Sequence, residues 1–384
     1  MRHRADPSES PPRRRERAPA APSAASAPNP PMIAALAAPP PALDTLMLPF
    51  ADGSLDWPAD GRVLFLRARD GAALRAVVRP GWVCVQGFRS DHDALPTVAE
   101  RLTEVPEAVF DCVLLLPPRQ REESRAWLVR ALERVAPGGV LVVSQANDEG
   151  ARSLQDDLER LCGEVRSTSK HKCRVVWMRP DPATVDHALV QSWRVQDAVQ
   201  PIEDGRYLSR PGLFSWDRID TGSALLAAHL PGNLQGRVAD LGCGYGYLSC
   251  ELLRRCPKVD ALDLYDADAR ALPLARANVE RVLADRATPV TVATHWHDVA
   301  TGLPQRYHAI VSNPPFHLDR GGLPQLGQAF LHAAANALLP DGRLLLVANR
   351  HLPYEQILAA RFGELQVLAS ASGFKVILAR GPKR

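Results

Sequence analysis

At 384 residues, 46% of them hydrophobic, the chain is long enough for two globular domains, each with its own core. Its longest apolar runs, such as Val140 to Val143 and Leu344 to Ala348, are too short to span a bilayer, so a transmembrane helix is excluded. The formal charge of +3 is supplied by six arginines against three acids within residues 1–42, which excludes a uniformly basic nucleic-acid-coating domain and leaves only local basic patches.

Residues 1–42 are rich in Ala, Pro, Ser and Arg and cannot bury enough apolar surface to offset their ordering entropy, so a disordered tail is expected there. They lack a continuous apolar stretch of the secretory type, and a cytoplasmic location is expected. From residue 43 to about 185, short β-rich runs alternate with helical stretches: Val63 to Leu66, Trp82 to Val85, Val113 to Leu116, Val140 to Val143. This pattern predicts a doubly wound α/β sheet. Within it, Arg119 to Arg130 and Lys170 to Arg174 are candidate basic patches, or else a solvated helix face and an exposed hairpin.

The same order returns in residues 186–384, with Val238 to Leu241, Val259 to Tyr265, Val290 to Ala293, Ala309 to Val311 and Leu344 to Val347. The halves also match residue by residue: Phe110-Asp111-Cys112-Val113 lies over Tyr307-His308-Ala309-Ile310, and Pro137-Gly138-Gly139 over Pro340-Asp341-Gly342. Two tandem Rossmann-like α/β domains of duplicated origin are therefore expected. The seven cysteines form no C-x-x-C pair, so neither a zinc site nor a disulfide framework is expected and no metal is invoked.

The first chemical motif is Asp240-Leu241-Gly242-Cys243-Gly244-Tyr245-Gly246, placed between a strand and an amphipathic helix. Glycines let the backbone approach a ligand closely, and Asp240 at the strand end suits a cationic amino group. The D-x-G-x-G-x-G spacing favours S-adenosylmethionine over a dinucleotide. So does Asp266, which ends the next strand and suits two ribose hydroxyls; Asp263 and Asp268 are its nearest alternatives. Asp298, after the third strand, suits either the adenine edge or a simple turn.

The second motif, Asn313-Pro314-Pro315-Phe316, begins where the fourth strand ends. An exocyclic base amine is a poor nucleophile because its lone pair is delocalised into the ring. The Asn313 side-chain oxygen and the Pro314 carbonyl can accept its two hydrogens and favour a tetrahedral nitrogen facing the sulfonium methyl. Phe316 offers a face on which an extruded base can stack. In the first half Leu116 and Arg119 stand where Asn313 and Phe316 stand, and Arg67-Ala68-Arg69-Asp70-Gly71 lacks the glycine pattern. The N-terminal domain is thus expected to be degenerate and to bind no cofactor.

With these motifs the sequence resembles the bacterial guanine-N2 methyltransferases of ribosomal RNA, type C of the small subunit and the related type G of the large one. The likeness runs over roughly residues 45–381 and includes the Phe214-Ser215 to Gly222 segment, Leu352-Pro353-Tyr354 and Gly373-Phe374-Lys375-Val376. It implies class I methyltransferase folds, N2-methylation of guanosine in rRNA (16S ahead of 23S), and an N-terminal domain that recognises ribosomal RNA or a ribosomal subunit. It also implies that Asp240, Gly242, Cys243, Gly244, Gly246, Asp266 and Asp298 surround the cofactor, with Asn313, Pro314 and Phe316 around the reacting base. The chain departs from the family at Trp216 and Arg218. The alternatives are methylation of adenine N6 or of a protein glutamine and, in another class, a non-catalytic RNA-binding assembly factor.

Overall fold

The computed structural model describes residues 41–59, 62–315 and 324–383. The first seven-stranded sheet is built from β1 (Val63–Leu66), β2 (Trp82–Val85), β3 (Glu100–Leu102), β4 (Phe110–Leu115), β5 (Val135–Ala146), β6 (Arg166–Lys170) and β7 (Cys173–Met178), in the order β3-β2-β1-β4-β5-β7-β6. After a small hairpin of β8 (Gln200–Ile202) and β9 (Tyr207–Ser209), the second sheet uses β10 (Gln235–Leu241), β11 (Lys258–Asp266), β12 (Thr291–Trp296), β13 (Tyr307–Ser312), β14 (Leu338–Asn349), β15 (Phe362–Ala371) and β16 (Phe374–Pro382). Its order, β12-β11-β10-β13-β14-β16-β15, repeats the first, the last strand but one of each sheet being reversed and pairing antiparallel with both neighbours. The central strands read as continuous apolar runs because helices cover both faces: all of Val63 to Leu66 is buried, as is Val238 to Leu241.

Strand register makes the correspondence of the halves concrete. Val63 pairs with Trp82 and Cys112, while Val238 pairs with Leu262 and Ala309. Phe65 therefore stands where Asp240 stands, Arg67 where Gly242 stands, Gln86 where Asp266 stands and Leu116 where Asn313 stands. Arg67 keeps the left-handed backbone of its glycine counterpart, with φ of 52° against 72°. Its guanidinium bonds to the Leu116 carbonyl at 3.2 Å, so a protein side chain spans the place where a cofactor turn would be read. Gln86 is likewise consumed internally: its amide donates to the Ala68 carbonyl at 2.8 Å and accepts from the Phe88 N–H at 2.9 Å.

The two units meet through the loops that follow β2 and β11. The Arg89 N–H donates to the Ala267 carbonyl at 2.8 Å, and the Ala269 N–H donates to the Gly87 carbonyl at 2.9 Å. These are equivalent residues paired reciprocally about the antiparallel bridge Phe88 to Asp268, which gives the contact a local two-fold character. Beside it, the buried Glu123 of the Arg121–Leu132 helix accepts from Arg270 at 2.5 Å and pairs with Arg67 at 3.5 Å. A Cβ on Gly212, whose φ is +91°, would run into the Glu123 carboxylate, which explains the glycine there.

Domain edges differ from the boundaries read in the sequence at residues 42 and 185. The first described helix, Pro41–Leu46, already buries Ala42, Leu43 and Leu46 in the first core. At the other boundary, the helix His187–Arg194 places Val190 and Trp193 in the core of the first unit, and Asp197 binds Arg130 at 2.6 Å. Burial of Ile202 and Tyr207 in the second core puts the crossing between residues 197 and 202.

Candidate active site

Parallel order reverses between β10 and β13, and the crevice at their carboxyl ends is where open α/β sheets place ligands. Four expected site segments converge there. Asp240, one residue before the end of β10, is wholly buried; one carboxylate oxygen accepts from the Ser249 hydroxyl at 2.6 Å, and the other has no partner among the described residues. Such an orphaned acceptor is the feature a cationic amino group requires. Burial pushes the Asp240 carboxyl up to about 7.

The turn over Asp240 is closed by the Gly242 and Cys243 N–H groups, which donate to the Tyr265 carbonyl at 2.9 and 3.0 Å. Gly244 has φ +53°, and among the described residues beyond its chain neighbours no atom lies within 4 Å of where its Cβ would stand, so the backbone itself faces the crevice. Gly246 serves packing instead, since a Cβ there would come within 2.9 Å of the Ala275 Cα, and its absence permits close approach of the two helices that flank the turn. Cys243 points its thiol into the core, and burial raises its pKa well above the ordinary value; it offers the crevice only backbone.

Asp266 accepts from the Gly244 N–H and the Asp268 N–H, both at 2.8 Å, and so ties the glycine turn to the next loop. Burial pushes it up to about 6. Its two alternatives are engaged elsewhere: Asp268 is ion-paired with Arg270 at 2.7 Å, and Asp263 lies deep in its strand between Arg237 at 2.6 Å and His295 at 2.9 Å. Asp298 is buried and accepts from the Ala300 N–H at 3.0 Å, which is the turn role, and it stands within electrostatic reach of Asp93 on the first unit. Neighbouring Trp296 donates to both the Gly87 and Ala267 carbonyls, at 3.0 and 2.9 Å. This flank of the crevice is thus shared between the domains, which the sequence did not reveal.

Asn313 follows β13 directly, beside Ser312, whose hydroxyl donates to the Leu241 carbonyl at 2.8 Å and joins the two strand ends. The Asn313 amide nitrogen donates to Asp220 at 2.9 Å and to the Ser223 hydroxyl at 2.8 Å. Asp220 also caps the Thr221–Ala228 helix by accepting from the Ser223 N–H at 2.7 Å. A Cβ on Gly222 would stand 3.0 Å from the Phe374 ring, and Lys375 donates to the Leu352 carbonyl at 2.8 Å and to Glu355 at 2.5 Å. Of the segments that carry the sequence resemblance, the one ending at Gly222 therefore meets both Asn313 and Phe374, and the one holding Phe374 and Lys375 meets Leu352. Pro314 is buried, and Phe316 lies outside the described residues.

The arginine-rich helix, read in the sequence as either a candidate basic patch or a solvated helix face, is largely neutralised: Arg121 and Arg125 both bind Asp157, at 2.9 and 2.8 Å, and Arg130 binds Asp197. Lys170, His171 and Lys172 remain exposed at the tip of the β6–β7 hairpin. Among the described residues no helix is long and apolar enough to cross a membrane, and no cluster of side chains suits a metal ion.

The pH dependence of cofactor binding should report Asp240. Its folded-state pKa lies above the ordinary 3.8, so the proton is held more tightly folded than unfolded, favouring folding at low pH and ceasing to do so above about 7. A cationic ligand needs the ionised form, so affinity for S-adenosylmethionine should fall by up to about tenfold per unit as pH drops below about 7. Calorimetry across that range checks this. In Asp240→Asn the affinity should be weak and should no longer fall between about pH 7 and the range near 6 where Asp266 titrates, and an unchanged slope there would assign the titration to another group.

The family profile "Methyltransferase small domain" matches residues 204–378. Among curated proteins, the chain is 32% identical over 306 residues to the Ribosomal RNA small subunit methyltransferase C of Pseudomonas aeruginosa (strain UCBPP-PA14), covering 78% of this chain and 88% of the relative. It is 27% identical over 313 residues to the protein of that name from Psychromonas ingrahamii, covering 79% and 87%. Among solved structures, it is similar to the T. thermophilus 16S rRNA N2 G1207 methyltransferase (RsmC) in complex with AdoMet and guanosine. That likeness has a TM-score of 0.71 and 24% identity and covers 88% of this chain and 91% of the other; at that identity it establishes the fold, two tandem class I methyltransferase domains.

Proposed function

We propose that this chain, which belongs to the ribosomal RNA small subunit methyltransferase C family, transfers a methyl group from S-adenosylmethionine to the exocyclic N2 of a guanine in 16S rRNA. The observation that carries the reading is the Asn313 amide, whose nitrogen is fully engaged by Asp220 and Ser223 so that its oxygen is the atom left for substrate. S-adenosylmethionine would supply an electrophilic methyl on a sulfonium centre, with neutral S-adenosylhomocysteine as the leaving group and one amine proton released to solvent. Asp240, with its orphaned oxygen, would hold the cofactor's amino group; Gly242, Gly244 and Gly246 would shape the backbone that cradles it, with Asp266 toward the ribose and Asp298 toward the adenine. Asn313 Oδ1 and the Pro314 carbonyl accept the two amine hydrogens, drawing the nitrogen lone pair out of the ring plane and toward the methyl. Proline at 314 restricts Asn313 to extended geometry, and Pro315 does the same for Pro314, so both acceptors are held before substrate arrives. Phe316 would stack the extruded base.

The N-terminal domain, with Arg67 and Gln86 spanning its own turn, would serve recognition of ribosomal RNA or a ribosomal subunit, in the cytoplasm. The test is direct. The purified chain, labelled S-adenosylmethionine and small-subunit RNA or particles should give N2-methylguanosine in the nucleoside digest. Label in N6-methyladenosine, or in protein glutamine, would replace this reading with another amine substrate; cofactor binding with no transfer to any RNA would make the chain an assembly factor.

A further inference from the structure

Resting on the reading of Asn313 as the base-amine acceptor, we infer that Asp220 and Ser223 are positioning residues that lock the Asn313 amide in the one flip that presents an acceptor, and that they thereby determine specificity for an amine over a carbonyl. A primary amide is nearly symmetric in shape, and its two ends carry opposite hydrogen-bonding character. Rotated by half a turn, Asn313 would offer two N–H donors to the base, repelling an amine and welcoming a ring carbonyl such as guanine O6. What prevents the rotation is an acceptor-only carboxylate. Asp220 Oδ2 lies 2.9 Å from the amide nitrogen, and the Ser223 hydroxyl oxygen lies 2.8 Å from the same atom, so both amide hydrogens are consumed. In the rotated state the amide oxygen would face the carboxylate with no proton between them.

The lock is itself held rigid. Asp220 is the N-cap of the Thr221–Ala228 helix, and the oxygen that receives Asn313 also receives the Ser223 N–H at 2.7 Å, so its rotamer is fixed by the helix start. Ser223 sits in the first turn of that helix and is buried. Gly222 between them lies 3.0 Å, measured from its would-be Cβ, from the Phe374 ring and 3.1 Å from Asp220 Oδ2, so any side chain there would push the cap away from Asn313. Three residues of one helical turn therefore set the direction of one catalytic dipole. A carboxylate beside the nitrogen also polarises the amide, leaving more negative charge on the oxygen that faces the substrate.

The test uses the full chain and variants that keep the helix capped. Asp220→Ser retains a capping hydroxyl but is too short to span to Asn313; Ser223→Ala removes the second acceptor; Asp220→Asn retains an oxygen that can accept from both N–H groups. The double variant Asp220→Ser with Ser223→Ala should lose about a hundredfold in kcat, while affinity for S-adenosylmethionine and the melting temperature stay near those of the parent. Asp220→Asn should stay within about tenfold of the parent. Inhibition by free guanosine should exceed that by inosine, which lacks the amine, in the parent, and the preference should collapse in the double variant. Parent-like kcat and preference in the double variant, with Asn313→Ala inactive, would overturn the lock and leave the acceptor reading standing; an active Asn313→Ala would overturn the acceptor reading itself. A loss of cofactor affinity or melting temperature large enough to account for the lost rate would reduce Asp220 to a helix cap and overturn the inference.

Discussion

Asn313→Ala should abolish methyl transfer, lowering kcat by at least about a hundredfold, while leaving affinity for S-adenosylmethionine nearly unchanged. The direction follows from what the side chain touches: its nitrogen is tied to Asp220 and Ser223, whereas the interactions assigned to the cofactor lie on Asp240, Gly244 and Asp266. What alanine removes is an acceptor whose value rises as the amine becomes tetrahedral, so the loss belongs in kcat and not in cofactor binding. Single-turnover transfer of labelled methyl to RNA, beside calorimetry of the cofactor, separates the two quantities. Parent-like turnover in this variant would remove the mechanism.

Cutting away the first unit to leave residues 200–384 should eliminate RNA methylation and also weaken cofactor binding by about tenfold or more. The sequence alone suggests that such a fragment keeps its cofactor site, because every proposed cofactor residue lies within it. The structure changes that expectation. The loop that follows Asp266 is held from the other unit by the Arg89 N–H on the Ala267 carbonyl, by the Gly87 carbonyl on the Ala269 N–H, and by Glu123 on Arg270. Trp296 stacks beneath Arg89, whose guanidinium lies 4.7 Å from its ring, and meets the His92 ring at 4.9 Å. Removing these partners leaves a half-buried arginine without its second carboxylate and frees the loop on which Asp268 positions Asp266. Calorimetry on the soluble fragment measures the effect, and full RNA methylation by residues 200–384 alone would show that the first unit contributes neither substrate recognition nor loop order.

Much of this molecule is legible in its residues because the features concerned are local. The doubly wound sheets follow from apolar runs such as Leu64 to Leu66 and Leu344 to Ala348, which a short strand covered on both faces can bury. The glycine turn follows from a backbone that must take positive φ at 242, 244 and 246, and the degeneracy of the first unit from Leu116, whose side chain accepts no hydrogen bond. Other features depend on residues far apart in the chain. The three-residue edge strand Glu100–Leu102 has too short a pattern to be read, and the helix His187–Arg194 joins the first core only because Trp193 finds its pocket there. A glutamate at 123 and an arginine at 270 give no sign in the sequence that they meet, nor do Asp220 and Asn313. A residue's type states which hydrogen bonds it can make; the direction of an amide, the acid chosen among Asp263, Asp266 and Asp268, and the domain that holds a loop are decided by which partners the fold brings within reach.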